Sequence, residues 1–115
     1  MNIQARITFG FGIQLDKNGD RIPRGSAGSA IHDIKHKALE LFGGFTIFNT
    51  EGGWRSPSGA VAIENGRSLV VCMDYEMQPP SEKTAEVRAM ADFIKARLNQ
   101  EAVFVSIEFV RTILI

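Results

Sequence analysis

Residues 3–15 alternate between apolar side chains and polar side chains or glycine without a break. Side chains of a strand point in turn to its two faces, whereas those of a helix repeat after about 3.6 residues, so only a strand gathers all the apolar residues of this stretch on one face. Gln4, Arg6 and Thr8 then lie on the other face, together with Gly10 and Gly12. The sequence therefore predicts a long first strand with one buried face and one face that contacts water or a partner.

The next stretch predicts a hairpin followed by a helix. Asn18 and Gly19 form the dipeptide best suited to the positive φ angles of a tight turn, so a short return strand is expected at residues 21–24. The residues RGSAGS are expected to form a loop, after which Ser29 would cap a helix. The buried stripe of that helix is predicted to consist of Ile31, Ile34, Ala38 and Leu41.

Further strands and a second helix are predicted from the rest of the chain. The strands fall at residues 45–50, 67–75 and 102–115, and the segment GGWRSPSG is expected to be a turn after the first of them. Ser81 follows two prolines and is expected to cap the helix, which Asn99 is expected to close. The apolar residues that mark this helix are Val87, Met90, Ala91, Ile94 and Leu98.

The resulting order, strand, helix, strand, strand, helix, strand, defines an α+β fold of the ferredoxin-like type. Two helices then cover one face of a four-stranded antiparallel sheet, with an added hairpin near residues 11–24, and residues 1–115 form a single domain. The first and third strands are central, and the last strand flanks the first. Apolar residues on the uncovered face, such as Phe104, Val110 and Leu114, would stay in water in a monomer, so we expect a homodimer or a higher oligomer.

Composition makes several classes of partner improbable. The 13 Lys and Arg residues balance 13 Asp and Glu residues, so no global field attracts nucleic acid or an anionic membrane surface. No stretch is long and apolar enough to span a membrane, and the first residues lack a secretion signal. The single cysteine, Cys72, lies in an apolar run and is expected to be a buried thiol in a reducing compartment. These features predict a soluble cytoplasmic protein with no nucleic-acid partner.

Trp54 and Arg55 are the most informative residues for function, because they stand in the glycine-rich segment GGFTIFNTEGGWRSPSG. Glycine lets a ligand approach the backbone, an indole ring stacks on flat groups, and a guanidinium binds phosphate or carboxylate. The predicted binding site for a small anionic ligand consists of Trp54, Arg55, Ser56, Ser58, Arg67 and Arg24. In the structural alternative, Trp54 covers the edge of the core, and Arg55 pairs with Glu51 or Glu64.

Two other patterns were weighed as metal sites, and neither is expected to bind a metal. His32 and His36 are spaced to share one face of a helix, but no third ligand is evident, so both are expected to be solvated. Asp16, Asn18 and Asp20 of the predicted hairpin have the spacing of a calcium loop, but Arg21 stands in place of its glycine and Ala27 in place of its final glutamate. No metal and no cofactor are therefore expected.

Four short motifs resemble those of a small bacterial and phage family of ferredoxin-like domains of unknown function. They are FGFG at residues 9–12, GGFT at residues 43–46, GGWR at residues 52–55, and Glu64 before the strand SLVV. The hairpin DKNGDRIP and the basic first helix depart from the pattern of that family. The resemblance supports the ferredoxin-like fold and implies no activity, because the family has none assigned.

The sequence leaves three functions open. In the first, an oligomer without catalytic residues binds an anionic, nucleotide-like molecule near the GGWRSPSG segment and sequesters or senses it; a phage origin would suit this role. In the second, a small dimeric ferredoxin-like enzyme, an isomerase or monooxygenase, takes its acid or base from His32, His36, Asp74 and Glu108. In the third, the protein is an assembly subunit without a ligand. Binding is preferred, because none of the four acid or base candidates has a visible partner to orient it.

Overall fold

The computed structural model describes residues 2–55, 57–75 and 77–115. In these residues the elements follow in the order strand, helix, strand, strand, helix, strand, which confirms the predicted ferredoxin-like fold of the α+β class. The elements are β1 (Asn2–Gly12), α1 (Arg24–Phe42), β2 (Thr46–Arg55), β3 (Val61–Asp74), α2 (Ala85–Leu98) and β4 (Phe104–Thr112). Neither of these helices is long and apolar enough to cross a membrane.

The strands form one antiparallel sheet in the order β2-β3-β1-β4, so β1 and β3 are the central pair and β4 flanks β1, as predicted. β1 places Ala5, Ile7 and Phe9 in the core, where Ile34 of α1 and Met90 of α2 pack with them; all five are fully buried. Burial of a side chain as large as Ile7 or Phe9 stabilises the fold by about 1.5–3 kcal/mol. This apolar layer holds both helices on one face of the sheet and leaves the other, the open face, uncovered by helices within the described residues.

α1 begins earlier than the sequence predicts. Pro23 precedes its first residue, and the RGSAGS segment, predicted to be a loop, forms the first turns of the helix. Ser29 is an exposed residue inside α1 and is therefore not its cap. Glycine and serine are typical of loops, but buried Ala27 and Ala30 continue the apolar stripe of the helix toward its N-terminus. This early start brings Arg24 into the first turn.

The predicted hairpin is present between β1 and α1. Gly19 adopts a left-handed conformation with φ 79°, and Leu15 pairs with Arg21 in an isolated bridge, so the return segment is shorter than predicted. The Asp16 carboxylate accepts the backbone N–H groups of Asn18 and Asp20 at 2.8 and 3.0 Å. Desolvation raises the pKa of Asp16, but these two donors, together with the side chain of Asn99 and the charge of Lys17, hold the pKa below its ordinary value. The turn is thus closed by its own aspartate.

β2 and β3 extend well beyond their predicted limits. Trp54 and Arg55, predicted to lie in a turn, belong to β2 and pair with Ala62 and Val61 of β3. The pairing of β1 with β3 ends where Gly12 lies opposite Gly66. Residues 51–55 of β2 and 61–65 of β3 continue past this pair and form a two-stranded arm. The glycines of GGWRSPSG suggested a turn, but cross-strand pairing satisfies their backbone groups equally well. The arm carries Trp54 on the same open face as the glycines of β1.

Three smaller predictions are corrected by the structure. α2 buries Val87, Met90, Ile94 and Leu98 of the predicted stripe, with Ala91 half-buried, and Asn99 is its C-cap as predicted, but Thr84 rather than Ser81 precedes its first turn. β4 stops at Thr112 and so is shorter than predicted. Cys72 is exposed and not buried, because it alternates along β3 with core-facing residues and therefore points to the open face.

Candidate functional site

A cleft of about 530 Å³ lies on the open face of the sheet near the end of β1. We call it the face cleft; its wall consists of residues 10–12, 50–54, 64, 66–68 and 104. The strand register explains how these residues meet, because Gly12 lies opposite Gly66 and Gly10 lies opposite Phe104. The volume falls within the range of about 300–1,000 Å³ that is typical of small-molecule sites.

Two aromatic side chains stand on the wall of the face cleft and remain exposed. The exposed fraction is 58% for Trp54 and 72% for Phe104. Both are on strands, which hold them more firmly than a loop would, and Trp54 pairs across the arm with the small residue Ala62. Exposed rings on a concave wall can stack on a planar ligand, and such stacking is worth about 1–3 kcal/mol for a nucleobase.

The carboxylate of Glu64 is fixed at the face cleft by backbone donors. Its Oε2 atom accepts the N–H group of Leu15 at 3.0 Å and that of Gln14 at 3.3 Å. Its Oε1 atom faces Gly12, and no hydrogen bond to Oε1 is found within the described residues. A carboxylate that is oriented in this way can accept a hydrogen bond from a hydroxyl or ammonium group, or hold a positive charge.

Two glycines permit the close packing around this carboxylate. A Cβ atom at Gly12 would overlap the carboxylate of Glu64, and a Cβ atom at Gly66 would overlap the carbonyl oxygen of Phe11. Neither glycine has a positive φ angle, so what excludes a side chain is lack of space and not backbone conformation. These glycines therefore set the floor of the face cleft.

A second cleft, of about 590 Å³, adjoins the first where α1 begins. We call it the arginine cleft; its wall consists of residues 13–14, 21–22, 24, 27–28, 31, 49–50, 65 and 67. Of the charged residues that the structure describes, Arg21, Arg24 and Arg67 line this cleft, and no described aspartate or glutamate does. Thr50 and Arg67 belong to the walls of both clefts, so the two sites are neighbours.

The structure divides the predicted binding residues between the two clefts. Trp54 lines the face cleft, Arg24 lines the arginine cleft, and Arg67 lines both. The Nη1 atom of Arg67 donates a hydrogen bond to the carbonyl oxygen of Gly66 at 2.8 Å, which restrains the guanidinium between the two sites. The predicted binding residues therefore belong to two clefts. The face cleft contains the carboxylate of Glu64, and the arginine cleft contains three arginines.

Arg55 and Ser58 are not on the walls of these clefts. Arg55 lies at the end of β2, and Ser58 lies in the turn that follows it. Ser56 lies outside the described residues. The alternative in which Arg55 pairs with Glu51 or Glu64 is not observed, because no such ion pair occurs among the described residues and Glu64 binds backbone donors instead.

The four acid or base candidates from the sequence lie away from both clefts. His32 and His36 are exposed on α1, with ring centroids 4.4 Å apart. Asp74 and Glu108 each accept a hydrogen bond from a β1 side chain on the open face, at 2.8 and 3.2 Å. Across the described ranges, no group of three or more His, Cys, Asp or Glu side chains could hold a metal ion. Catalysis by these four residues therefore finds no support in their positions.

Sequence reasoning missed Glu64 and Phe104 as residues of the candidate site. Glu64 entered only as a family motif and as a partner for Arg55, and Phe104 only as an exposed apolar residue. The alternation of side chains along strands could have indicated them, because both residues fall on the same face as Gly10 and Gly12 once the pairing of the strands is known. That pairing joins residues that are distant in sequence, so the cleft itself was not visible.

No family model matches the chain, and no curated protein matches it. Several solved structures do match. A phage SAM lyase in complex with S-methyl-5'-thioadenosine has a TM-score of 0.59 and 15% identity, over 96% of this chain and 90% of that chain. The apo state of a phage SAM lyase has a TM-score of 0.58 and 20% identity, over 94% of this chain and 80% of that one.

CutA proteins are similar to a comparable degree. The periplasmic divalent cation tolerance protein CutA from Archaeoglobus fulgidus has a TM-score of 0.56 and 17% identity, over 96% of this chain and 87% of that chain. CutA1 from Oryza sativa has a TM-score of 0.57 and 10% identity, over 96% and 84% of the two chains. At these identities the likeness shows that the chain shares their fold.

Proposed function

We propose that this protein binds a small adenosine-type nucleoside in the face cleft. The observation that carries the proposal is the pairing of two exposed aromatic side chains with a fixed carboxylate in one cleft of suitable volume. Similarity to a phage SAM lyase that was solved with S-methyl-5'-thioadenosine supports the choice of ligand class. The fold alone does not determine function, so the residues of the cleft must carry the argument.

Each part of such a ligand has a partner in the face cleft. The adenine ring stacks on Trp54, and Phe104 offers an apolar contact elsewhere on the wall of the cleft. Gly52 and Gly53 let the ligand approach the backbone of β2, because a hydrogen atom replaces the side chain at these positions. Oε1 of Glu64 accepts a hydrogen bond from a ribose hydroxyl or an ammonium group, or lies beside a positively charged sulfur.

The biological role that we propose is sequestering or sensing of this nucleoside by a protein of phage or bacterial origin. The motifs FGFG, GGFT and GGWR, which suggested such a family, all lie at or near the face cleft or the start of β2. We propose the cytoplasm as its location, since the exposed thiol of Cys72, the only cysteine of the chain, would remain reduced there.

Glu64→Gln is expected to change the charge preference of the site. SAM carries a positive sulfonium, whereas S-methyl-5'-thioadenosine shares its adenosine part and is neutral. Glutamine keeps an oxygen for the backbone donors of Gln14 and Leu15 but removes the negative charge. We expect affinity for SAM to fall about tenfold and affinity for S-methyl-5'-thioadenosine to fall less, because only SAM loses a partner for its positive charge. Isothermal titration calorimetry with both ligands measures the difference.

Glu108→Gln is the matched control for this experiment. Glu108 lies on the same open face and pairs with Arg6 at 3.2 Å, but it is not part of the face cleft. Its substitution removes the same charge and should leave both affinities unchanged. Equal losses for SAM in the two variants would contradict a specific role for Glu64.

Cleavage of SAM is a second candidate function of the same cleft. It is favoured by the similarity to two phage SAM lyase structures over more than nine tenths of this chain. S-methyl-5'-thioadenosine is SAM without its amino-acid fragment, so mass spectrometry of the protein incubated with SAM would detect it as a product. Product above a protein-free control supports the lyase candidate; binding of SAM without product supports the binding proposal alone.

We also propose that the protein is a homo-oligomer. Large apolar side chains are exposed in two regions, the arm and β4 with the C-terminal residues; they include Trp54, Val61, Ile63, Phe104, Phe109, Ile113, Leu114 and Ile115. The outer strands of the sheet, β2 and β4, run through these regions and have unpaired backbone groups along one edge. We propose the arm as the interface, because a second copy that covers it would remove the apolar surface of Val61 and Ile63 from water.

Ile63→Glu is expected to weaken this assembly. Ile63 is on the arm with an exposed fraction of 67%, so a charge is tolerated in the monomer but costs free energy in an apolar interface. Sedimentation velocity should show an oligomer for the unmodified protein and a lighter species for the variant. Ala96→Glu on the exposed side of α2 adds the same charge outside both regions and should keep the oligomer. A monomeric unmodified protein would contradict the proposal.

A further inference from the structure

The arginine cleft gathers three arginines for which no carboxylate partner is found within residues 2–55, 57–75 and 77–115. The arginine ion pairs found among the described residues involve other arginines, and Arg21, Arg24 and Arg67 form none. Among the described residues, the wall of the cleft contains no aspartate or glutamate. Like charges that share one concavity repel each other, so an anion that enters it is stabilised by all of them.

Three different elements position these arginines. Arg21 is held in the hairpin by its bridge to Leu15, Arg24 is the first residue of α1, and Arg67 is a half-buried residue of the central strand β3. Their meeting at one cleft depends on the early start of α1 and on the return of the hairpin. The tertiary structure therefore brings three positive charges together in a chain whose net charge is zero.

Neutral donors complete the wall. Asn49 and Asn65 line the cleft with their polar side chains. The first helical hydrogen bond of α1 runs from the N–H group of Ala27 to the carbonyl oxygen of Pro23, which leaves the N–H groups of residues 24–26 outside the helical ladder. The first turn of α1 contains no acidic residue. Of residues 24–26, Arg24 lies on the wall of the cleft, so the N-terminal end of α1 adds hydrogen-bond donors next to the arginines.

The geometry points to a second ligand site, in which the arginine cleft binds the phosphate group of a small molecule. Guanidinium groups match phosphate because each can donate two parallel hydrogen bonds to its oxygens. The cleft volume of about 590 Å³ is large enough for more than the phosphate itself. This site goes beyond the nucleoside proposal and does not depend on it, because phosphate recognition needs neither Trp54 nor Glu64.

Inorganic phosphate is the probe that tests the site directly. We would titrate the full-length protein at low salt and follow backbone N–H and arginine Nε–H signals by NMR. Saturable shifts are expected at residues 24–26 and at Arg67. Arg24→Gln and Arg67→Gln should each weaken phosphate binding about five- to tenfold, as expected for loss of a charged hydrogen-bond donor. Sodium chloride should weaken binding because it screens these charges.

Arg111→Gln is the control for net charge. Arg111 is exposed on β4, has no ion pair among the described residues, and lies outside both clefts. It should change the phosphate dissociation constant by less than about twofold, since it removes charge without removing a donor from the cleft. The proposal is overturned if phosphate causes no saturable shifts in the arginine cleft, or if Arg111→Gln weakens binding as much as the cleft variants do.

AMP and adenosine distinguish the sources of the phosphate group. Binding of AMP more tightly than phosphate, with signal changes at both Arg67 and Trp54, would identify a nucleotide that spans both clefts. Binding of AMP with the affinity of phosphate and without change at Trp54 would identify the phosphate group alone as the ligand. Either result supports an anion site. Adenosine shifting the signals of residues 24–26 as strongly as AMP does would contradict recognition through phosphate.

Discussion

Replacing Trp54 by alanine is expected to weaken binding of S-methyl-5'-thioadenosine about 5- to 150-fold. This range converts the free energy of about 1–3 kcal/mol that stacking of a base on an aromatic side chain provides. The fold should survive, because Trp54 lies on the arm with more than half of its surface exposed and is not part of the core cluster. Isothermal titration calorimetry measures the affinity, and thermal unfolding checks that the variant is folded.

Phe48→Ala provides the matched control for this prediction. Phe48 is another aromatic residue on the open face of β2, exposed to a similar extent, but it does not line the face cleft. Its removal should leave the affinity within about twofold of the original, since the ligand does not reach it. Equal affinities of the Trp54 variant and the unmodified protein would show that the ligand does not stack there. Loss of folding in Trp54→Ala would instead assign Trp54 a structural role.

Gly66→Ala is expected to destabilise the fold by about 1–3 kcal/mol, the usual cost of forcing an extra group into a well-packed site. The added Cβ would overlap the carbonyl oxygen of Phe11, which is a backbone atom and cannot rotate away. Relief requires that β1 and β3 separate, although they are the central pair of the sheet. Thermal unfolding should show a decrease of about 4 °C or more in Tm for each kcal/mol.

Gly52→Ala tests whether this cost arises from the close contact at Gly66. Gly52 is also a strand residue, but an added Cβ there meets no heavy atom within 4 Å, and its φ angle is not positive. Alanine at this position should therefore leave Tm unchanged or raise it, because it reduces the freedom of the unfolded chain. A similar decrease in Tm for both variants would mean that glycine is needed along the whole arm and would contradict the steric explanation.

Periodicity predicted the element order and the sheet arrangement because both depend on which faces are apolar. The alternation in β1 and the stripe of α2 led directly to a central strand and a packed helix. The predictions for two glycine-rich segments are wrong. The segments RGSAGS and GGWR were assigned to a loop and a turn, yet the first is helical and the second is strand, because tertiary burial of Ala27 and cross-strand pairing of Trp54 outweigh local preference.

The candidate site was predictable only in part. The side-chain chemistry of Trp54, Arg24 and Arg67 singled them out, and the structure does place each of them on a cleft wall. Their division between an aromatic cleft and an arginine cleft follows from the arm and from the early start of α1, neither of which the sequence indicated. The role of Glu64 depends on backbone donors of Gln14 and Leu15, about fifty positions away in the chain, and no local pattern reveals such a contact.

The fluorescence of Trp54 tests the proposed nucleoside site most directly, because it is the only tryptophan of the chain and stands on the wall of the face cleft. S-methyl-5'-thioadenosine would be titrated into the unmodified protein with excitation at the red edge of the indole band, where adenine does not absorb. We predict a saturable decrease in emission with a midpoint that agrees with calorimetry. Emission that stays constant while calorimetry detects binding would place the ligand elsewhere, and absence of binding in both measurements would contradict the proposed function.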